Sequence, residues 1–212
     1  MEQAFGTQPW EYVRGLQPTS FCDWPGRVCA VIFLGGCNLR CPTCHNAKVA
    51  WSPENLPQLD KNEILSLLLR RKDWLDGIVL TGGEPTCVPH LDQLLIEIKE
   101  VVGLPLKVDS NGLRPEVLGH ILQEQLVEML AVDVKGPWEK YPLLTGQACC
   151  AQEAETTFMD VWELVSAWPD FFYFRCTQVP QLNEADLDIV RGYLPAGFKL
   201  NIQKYVEPAK ER

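Results

Sequence analysis

Three cysteines fall within eight residues of GGCNLRCPTCHN, residues 35–46: Cys37, Cys41 and Cys44, spaced CxxxCxxC. One short loop with that spacing can wrap three thiolates around a metal centre, whereas a disulfide framework or a four-ligand site calls for an even number. A structural zinc site usually takes its remaining Cys or His from a second paired motif, and no second CxxC occurs in the chain. His45 adjoins Cys44 directly, and immediate neighbours seldom close the same tetrahedron. An iron–sulfur cluster held by three thiolates leaves one iron with an open position for a substrate. The spacing favours a cluster, with zinc and a chance grouping as the remaining readings.

A loop of this kind needs a rigid frame. Apolar runs of strand length occur at residues 28–35, 77–82, 105–110, 129–134, 171–179 and 198–205, six in all, and segments of helical period lie between them. Leu91, Leu94, Leu95, Ile98, Val101 and Val102 share one helix face, and Phe158, Val161, Trp162 and Val165 repeat the spacing. Asp60 with Glu63 and Thr157 with Asp160 read as N-cap and third-position partners, and Pro115 opens a helix where its missing N–H is harmless. Strands separated by helices imply a parallel sheet with right-handed crossovers, in a single α/β domain. Nearly every strand ends in glycine or polar residues: Gly35, Gly36 and Cys37; Thr81, Gly82, Gly83 and Glu84; Asp109, Ser110 and Asn111; Asp133 and Lys135; Thr177 and Gln178. Strand carboxyl ends carry the chemistry of (β/α) barrels and of open doubly wound sheets alike, so the pattern does not choose between them.

Composition narrows the setting. The 212 residues carry a formal charge of −9, which argues against a nucleic-acid partner, since such surfaces cluster Lys and Arg. Arg70, Arg71 and Lys72 read as the solvated end of a helix. Residues 1–20 lack the basic start and apolar core of a signal peptide, and no run of about 18 apolar residues suits a membrane. A cytoplasmic setting follows, where nine cysteines point to metal or redox chemistry more than to disulfides. Cys22, Cys29, Cys87 and Cys176 read as small buried hydrophobes, and Cys149 with Cys150 as a passive loop pair, the alternatives being a strained redox pair or a partner contact.

CNLRCPTCHN resembles the signature of radical S-adenosylmethionine (SAM) enzymes. The longer stretch from Asp23 to Asn46, with its CHN ending, is similar to the opening of glycyl-radical-enzyme activating proteins. Within these it looks most like the anaerobic ribonucleoside-triphosphate reductase activating branch, with the pyruvate formate-lyase activating enzyme more distant. The likeness runs over about residues 13–206 and weakens after about residue 180. It implies an incomplete (β/α)6 TIM-like barrel of parallel strands, one domain over residues 1–212, with an N-terminal extension at 1–20 and a cluster loop at 35–46.

The resemblance further implies that Cys37, Cys41 and Cys44 hold one [4Fe-4S] cluster, with S-adenosyl-L-methionine on the open iron. Gly82, Gly83, Glu84 and Pro85 of TGGEP would bind its amino group. Asp109, Ser110, Asp133 and the Ala131 carbonyl would hold a monovalent cation beside its carboxylate, Lys135 would contact the cosubstrate itself, and Asn111 is a further cofactor-binding candidate. The pyruvate formate-lyase activase has a histidine near the last strand; this chain has none after His120, leaving Gln203 or Lys204 there. Physical reasoning runs parallel: two glycines let backbone approach a ligand, and paired strand-end carboxylates call for a cation or Lys135 between them, unless each merely accepts turn hydrogen bonds. His45 and Asn46 either pack near the cluster or play a general supporting role.

The expected reaction cleaves S-adenosylmethionine to methionine and a 5′-deoxyadenosyl radical and makes a glycyl radical on a partner, anaerobic ribonucleotide reductase. No side chain acts as acid, base or nucleophile, and a flavodoxin or ferredoxin-type donor supplies the electron. Alternatives are another glycyl-radical enzyme, a small-molecule enzyme like 7-carboxy-7-deazaguanine synthase, and a noncatalytic zinc or iron–sulfur module.

Overall fold

β-branched and apolar runs become strands at the six places where the sequence puts them. The computed structural model, which describes residues 6–207, has β1 (Val13–Ser20), β2 (Cys29–Leu34), β3 (Gly77–Gly82), β4 (Leu106–Ser110), β5 (Met129–Asp133), β6 (Phe172–Gln178) and β7 (Leu200–Lys204). The unexpected one is β1, so residues 13–20 are not part of a bare extension. Its sequence, VRGLQPTS, has no strand alternation and contains Gly15 and Pro18. It pairs antiparallel with β2 through irregular register, shifting between Val13 and Gly15 and between Gln17 and Ser20. A proline is tolerable there because β1 is the first strand of the order and has one open edge.

β2 with β3, β3 with β4 and β6 with β7 pair in parallel, and the sheet runs from β1 to β7 with no strand out of sequence. That is the connectivity of a (β/α) barrel with fewer than the usual eight strands, since a doubly wound sheet reverses its order partway. The intervening helices are α1 (Ala47–Trp51), α2 (Lys61–Arg71), α3 (Leu91–Val102), α4 (Pro115–Gln123), α5 (Tyr141–Leu144), α6 (Ala151–Ala167) and α7 (Glu184–Tyr193).

Local signals explain most helix ends. Asp60 caps α2, its carboxylate accepting from the backbone N–H of Asn62 and Glu63, and exposed Arg70 and Arg71 close the last turn. α4 begins at Pro115 as expected. α3 buries Leu91, Leu94, Leu95, Ile98 and Val102, while Val101 lies exposed beyond the edge of the stripe. α6 starts six residues before Thr157, at Ala151, because Cys150 is its N-cap: the thiol accepts from the Glu153 N–H, and Glu153 reaches back to complete a capping box. Thr157 and Asp160 therefore lie within the helix.

Two compact units divide the chain. Among the described residues, the first comprises 6–37 with 46–110 and 116–130, and packs Trp24, Cys29, Val31 and Val79 with Phe33 and Met129. The second comprises residues 38–45, 111–115 and 131–207. Leu144, Cys176, Val179, Leu182 and Leu187 form a core there, and Trp138 stacks on Tyr193 with centroids 4.2 Å apart. Among the described residues, no helix is long and apolar enough to cross a membrane.

Candidate functional site

In the first unit, β2 leads into Gly35, Gly36 and the half-buried Cys37. Backbone hydrogen bonds fix this exit. Gly36 donates to Val49 at 3.0 Å, its carbonyl accepts from the Glu84 N–H at 2.8 Å, and Gly83 donates to the Leu34 carbonyl at 2.8 Å. A Cβ on Gly83 would stand 1.9 Å from the Gly36 oxygen, and one on Gly82 (φ +118°) would stand 2.5 Å from the Leu34 nitrogen. Only glycine fits at either position. The far end of the cysteine loop is tied to the same turn, since the Asn46 amide donates to the Gly82 carbonyl at 3.0 Å. Asn46 thus supports the turn that the sequence reading offers as a cosubstrate contact.

Glu84 is buried and caps the single helical turn Pro85–Cys87. Its Oε1 accepts from the Thr86 N–H at 3.2 Å, the Thr86 hydroxyl at 2.6 Å and the Ser110 hydroxyl at 2.8 Å. Glu84 and Ser110, two of the expected site residues, therefore meet. Asp109 faces Lys107, two residues earlier on β4 and so on the same side of the strand. Lys107 is wholly buried, forms an ion pair with Asp109 Oδ1 and also donates to the Asp23 carbonyl at 2.8 Å.

The second unit holds Cys41 and Cys44, both half-buried, with the Cys44 N–H on the Cys41 carbonyl at 3.0 Å. Their segment rests on the stretch after α5. Arg40 donates to the Thr145 carbonyl at 3.0 Å, and a Cβ on Gly146 would fall 2.2 Å from the Arg40 oxygen. His45 stacks on Tyr205 at 5.2 Å and places Nε2 2.5 Å from the Val206 carbonyl. Asn111 donates to Asn38 Oδ1 at 2.8 Å and accepts from the Leu113 N–H at 3.0 Å.

Asp133 ends β5 between two cations, Arg175 Nε at 2.8 Å and Lys135 Nζ at 3.2 Å. Burial alone would raise its carboxyl, but Arg175 and then Lys135 hold it down at about 2. Burial works against the Lys135 ammonium as well, and is outweighed first by Asp133 and then by Cys41, so this lysine stays charged. Burial pushes the Cys41 thiol above its ordinary value, with Lys135 opposing. Gln203 lies opposite Thr177 on β7, exposed, their side-chain oxygens 3.4 Å apart. Lys204 is exposed beside it.

Sequence reasoning missed Lys107 and Arg175. Period-two alternation through Asp109 could have flagged the first; the second is invisible until β6 is known to lie beside β5. Among the cysteines read as buried hydrophobes, Cys29 and Cys176 are buried, Cys87 is half-buried and Cys22 is exposed, in the turn after β1 where no strand covers it. Cys149 is buried, and its partner Cys150 is the exposed cap of α6.

The donor set suits an iron–sulfur cluster: three half-buried thiols on an irregular loop anchored by backbone bonds at Gly36 and by the Asn46 side-chain amide. Among the described residues, no three His, Cys, Asp or Glu side chains converge as ligands of a single ion would. A cluster instead takes each thiolate on a different iron.

Comparison with known proteins agrees with this chemistry. Residues 31–187 match the Radical SAM superfamily. A Methanocaldococcus jannaschii protein, provisionally named a glycyl-radical enzyme activating enzyme, is 32% identical over 179 residues, 83% of this chain and 72% of that one. The 7-carboxy-7-deazaguanine synthase of Hyperthermus butylicus is 32% identical over 133 residues, 58% of this chain and 55% of its own length. Among solved structures, anSMEcpe with bound AdoMet and the Cp18Cys peptide superposes with a TM-score of 0.61 at 18% identity, over 84% of this chain. The chain spans half the length of that structure. With its three-cysteine loop, its glycine turn and its sequential parallel strands, the chain belongs to the radical SAM superfamily and, within it, stands with the glycyl-radical enzyme activating enzymes.

Proposed function

We propose that this protein is an activase that cleaves S-adenosylmethionine reductively and installs a glycyl radical on a partner enzyme, with anaerobic ribonucleotide reductase as the partner. The observation that carries the reading is the anchoring of the cysteine loop at both ends to the TGGEP turn, through Gly36 and Asn46. Cys37, Cys41 and Cys44 would hold the [4Fe-4S] cluster. When bound, it supplies the electron that splits the sulfonium into methionine and a 5′-deoxyadenosyl radical, which takes hydrogen from a glycine Cα.

The chain's own residues bind and orient. Gly82 and Gly83, kept without a Cβ by the close approach of the β2 exit, would present backbone to the cosubstrate amino group. The charged Lys135 ammonium suits a carboxylate, and Asp133 and Arg175 fix its place. Asp109, Ser110, Asn111 and Pro85, at or just after the ends of β3 and β4, are further candidate contacts, and Gln203 is the candidate contact from the last strand. No proton transfer by a side chain is required. A flavodoxin or ferredoxin-type protein would supply the electron, in the cytoplasm.

Anaerobic reconstitution should give about four irons per chain, and dithionite should then release 5′-deoxyadenosine. Cys41→Ala should abolish that release; full cleavage by the variant would sink the ligand assignment, and zinc in place of iron would sink the reaction. Electron paramagnetic resonance on a mixture with the reductase should show a glycyl-radical doublet. A small-molecule substrate is the second reading, favoured by the likeness to 7-carboxy-7-deazaguanine synthase. Active cleavage without a doublet on any glycyl-radical enzyme would select it.

A further inference from the structure

Asp109 and Asp133 are strand-end carboxylates, to which the resemblance extends a monovalent cation; the residues around each do not fit one. In the first unit, Asp109 Oδ1 is taken by the Lys107 ammonium, and the Asp109 side chain is only 10% exposed. Lys107 has no exposed surface, and a second hydrogen bond, to the Asp23 carbonyl at 2.8 Å, fixes its direction. An ammonium buried without a carboxylate is strongly disfavoured, so Lys107 needs Asp109 as much as Asp109 needs a cation. A metal ion on the same carboxylate would stand beside that ammonium and be repelled by it. In the second unit, both Asp133 oxygens are engaged, Oδ1 by Arg175 and Oδ2 by Lys135.

We infer that Lys107 and Arg175 are built-in countercations of Asp109 and Asp133, and that neither strand end takes a monovalent metal ion. Lys107 is a positioning residue in this scheme: it fixes the charge and orientation of Asp109 and touches no reactant. Arg175 does the same for Asp133 and, through it, for Lys135. The inference rests on reading these strand ends as the cosubstrate site.

The test uses the full chain as purified and compares potassium, sodium and choline chloride at equal ionic strength. Thermal unfolding of the wild type should give the same Tm in all three, and thallium-205 resonance should show no saturable site. Lys107→Met removes the ammonium and should create ion dependence. The expected gain for that variant is a rise in Tm of about 2–4 °C in potassium over choline at this chain length. A saturable thallium site in the wild type, or a wild-type Tm that rises with potassium over choline, would overturn the inference. So would a folded Lys107→Met protein indifferent to the ion. If Lys107→Met does not fold, the wild-type measurements and Arg175→Met, with the same expected gain, decide. Neither readout needs a cluster or S-adenosylmethionine, so failure to cleave the cosubstrate would defeat the activase reading without touching this result.

Discussion

Asp133 shows what one residue contributes at this site. Its carboxyl titrates at about 2 against an ordinary 3.8, held there by Arg175 and Lys135 in spite of burial. Because the folded value lies below the unfolded one, its stabilisation is complete above about pH 4 and is lost as the pH falls from there through about 2. The shift corresponds to about 2 kcal/mol. Urea unfolding measured from pH 7 to pH 2 should show that loss in the wild type and much less of it in Asp133→Asn, which should also be less stable at pH 7. An equal acid slope in the two proteins would mean that the carboxylate is not held as described. The same residue marks a boundary of what sequence can reveal. Cys37, Cys41, Cys44, Gly82 and Gly83 are legible because motif spacing and steric need act within a few positions. Arg175 is not, because it reaches Asp133 from 42 residues away in sequence, through a strand neighbour that no local pattern announces.

The elements tell a parallel story. Six strands and the starts of α2 and α4 follow from apolar period, an aspartate cap and a proline, all local causes. β1 escaped because an edge strand needs only backbone partners, and its glycine and proline read as loop. The sequence reading starts α6 seven residues late because a thiol cap lies outside the usual Ser, Thr, Asp and Asn signal. Between elements, the decisive contact is the glycine turn after β3 against the exit of β2. Gly83→Ala would drive a methyl into the Gly36 carbonyl, an overpacking that should cost about 1–3 kcal/mol. It should also shift Cys37, the next residue. Thermal unfolding and iron content per chain after reconstitution check this: a variant with the wild-type Tm and full iron would show that the turn yields without effect.

At the scale of the molecule, two facts govern behaviour. The charge of −9 and a pI of about 4.9 make the chain least soluble in mildly acidic buffer. Ligand binding should add stability that the bare chain lacks, by mass action. S-adenosylmethionine at a hundred times its Kd should contribute about 2.7 kcal/mol, or about 5–11 °C in Tm for a chain of this length. Anaerobic calorimetry of the cluster-loaded protein with and without the cosubstrate measures it, and an unchanged Tm at saturating concentration would contradict the assigned site. Finally, His45, the residue after Cys44, finds its partner in Val206, 161 positions later. On the ribosome, that imidazole has no Tyr205 ring to lie on and no Val206 carbonyl to reach until the residues just beyond β7 have been made. The contacts of the residue beside the third cysteine are therefore among the last to form as the chain is synthesised.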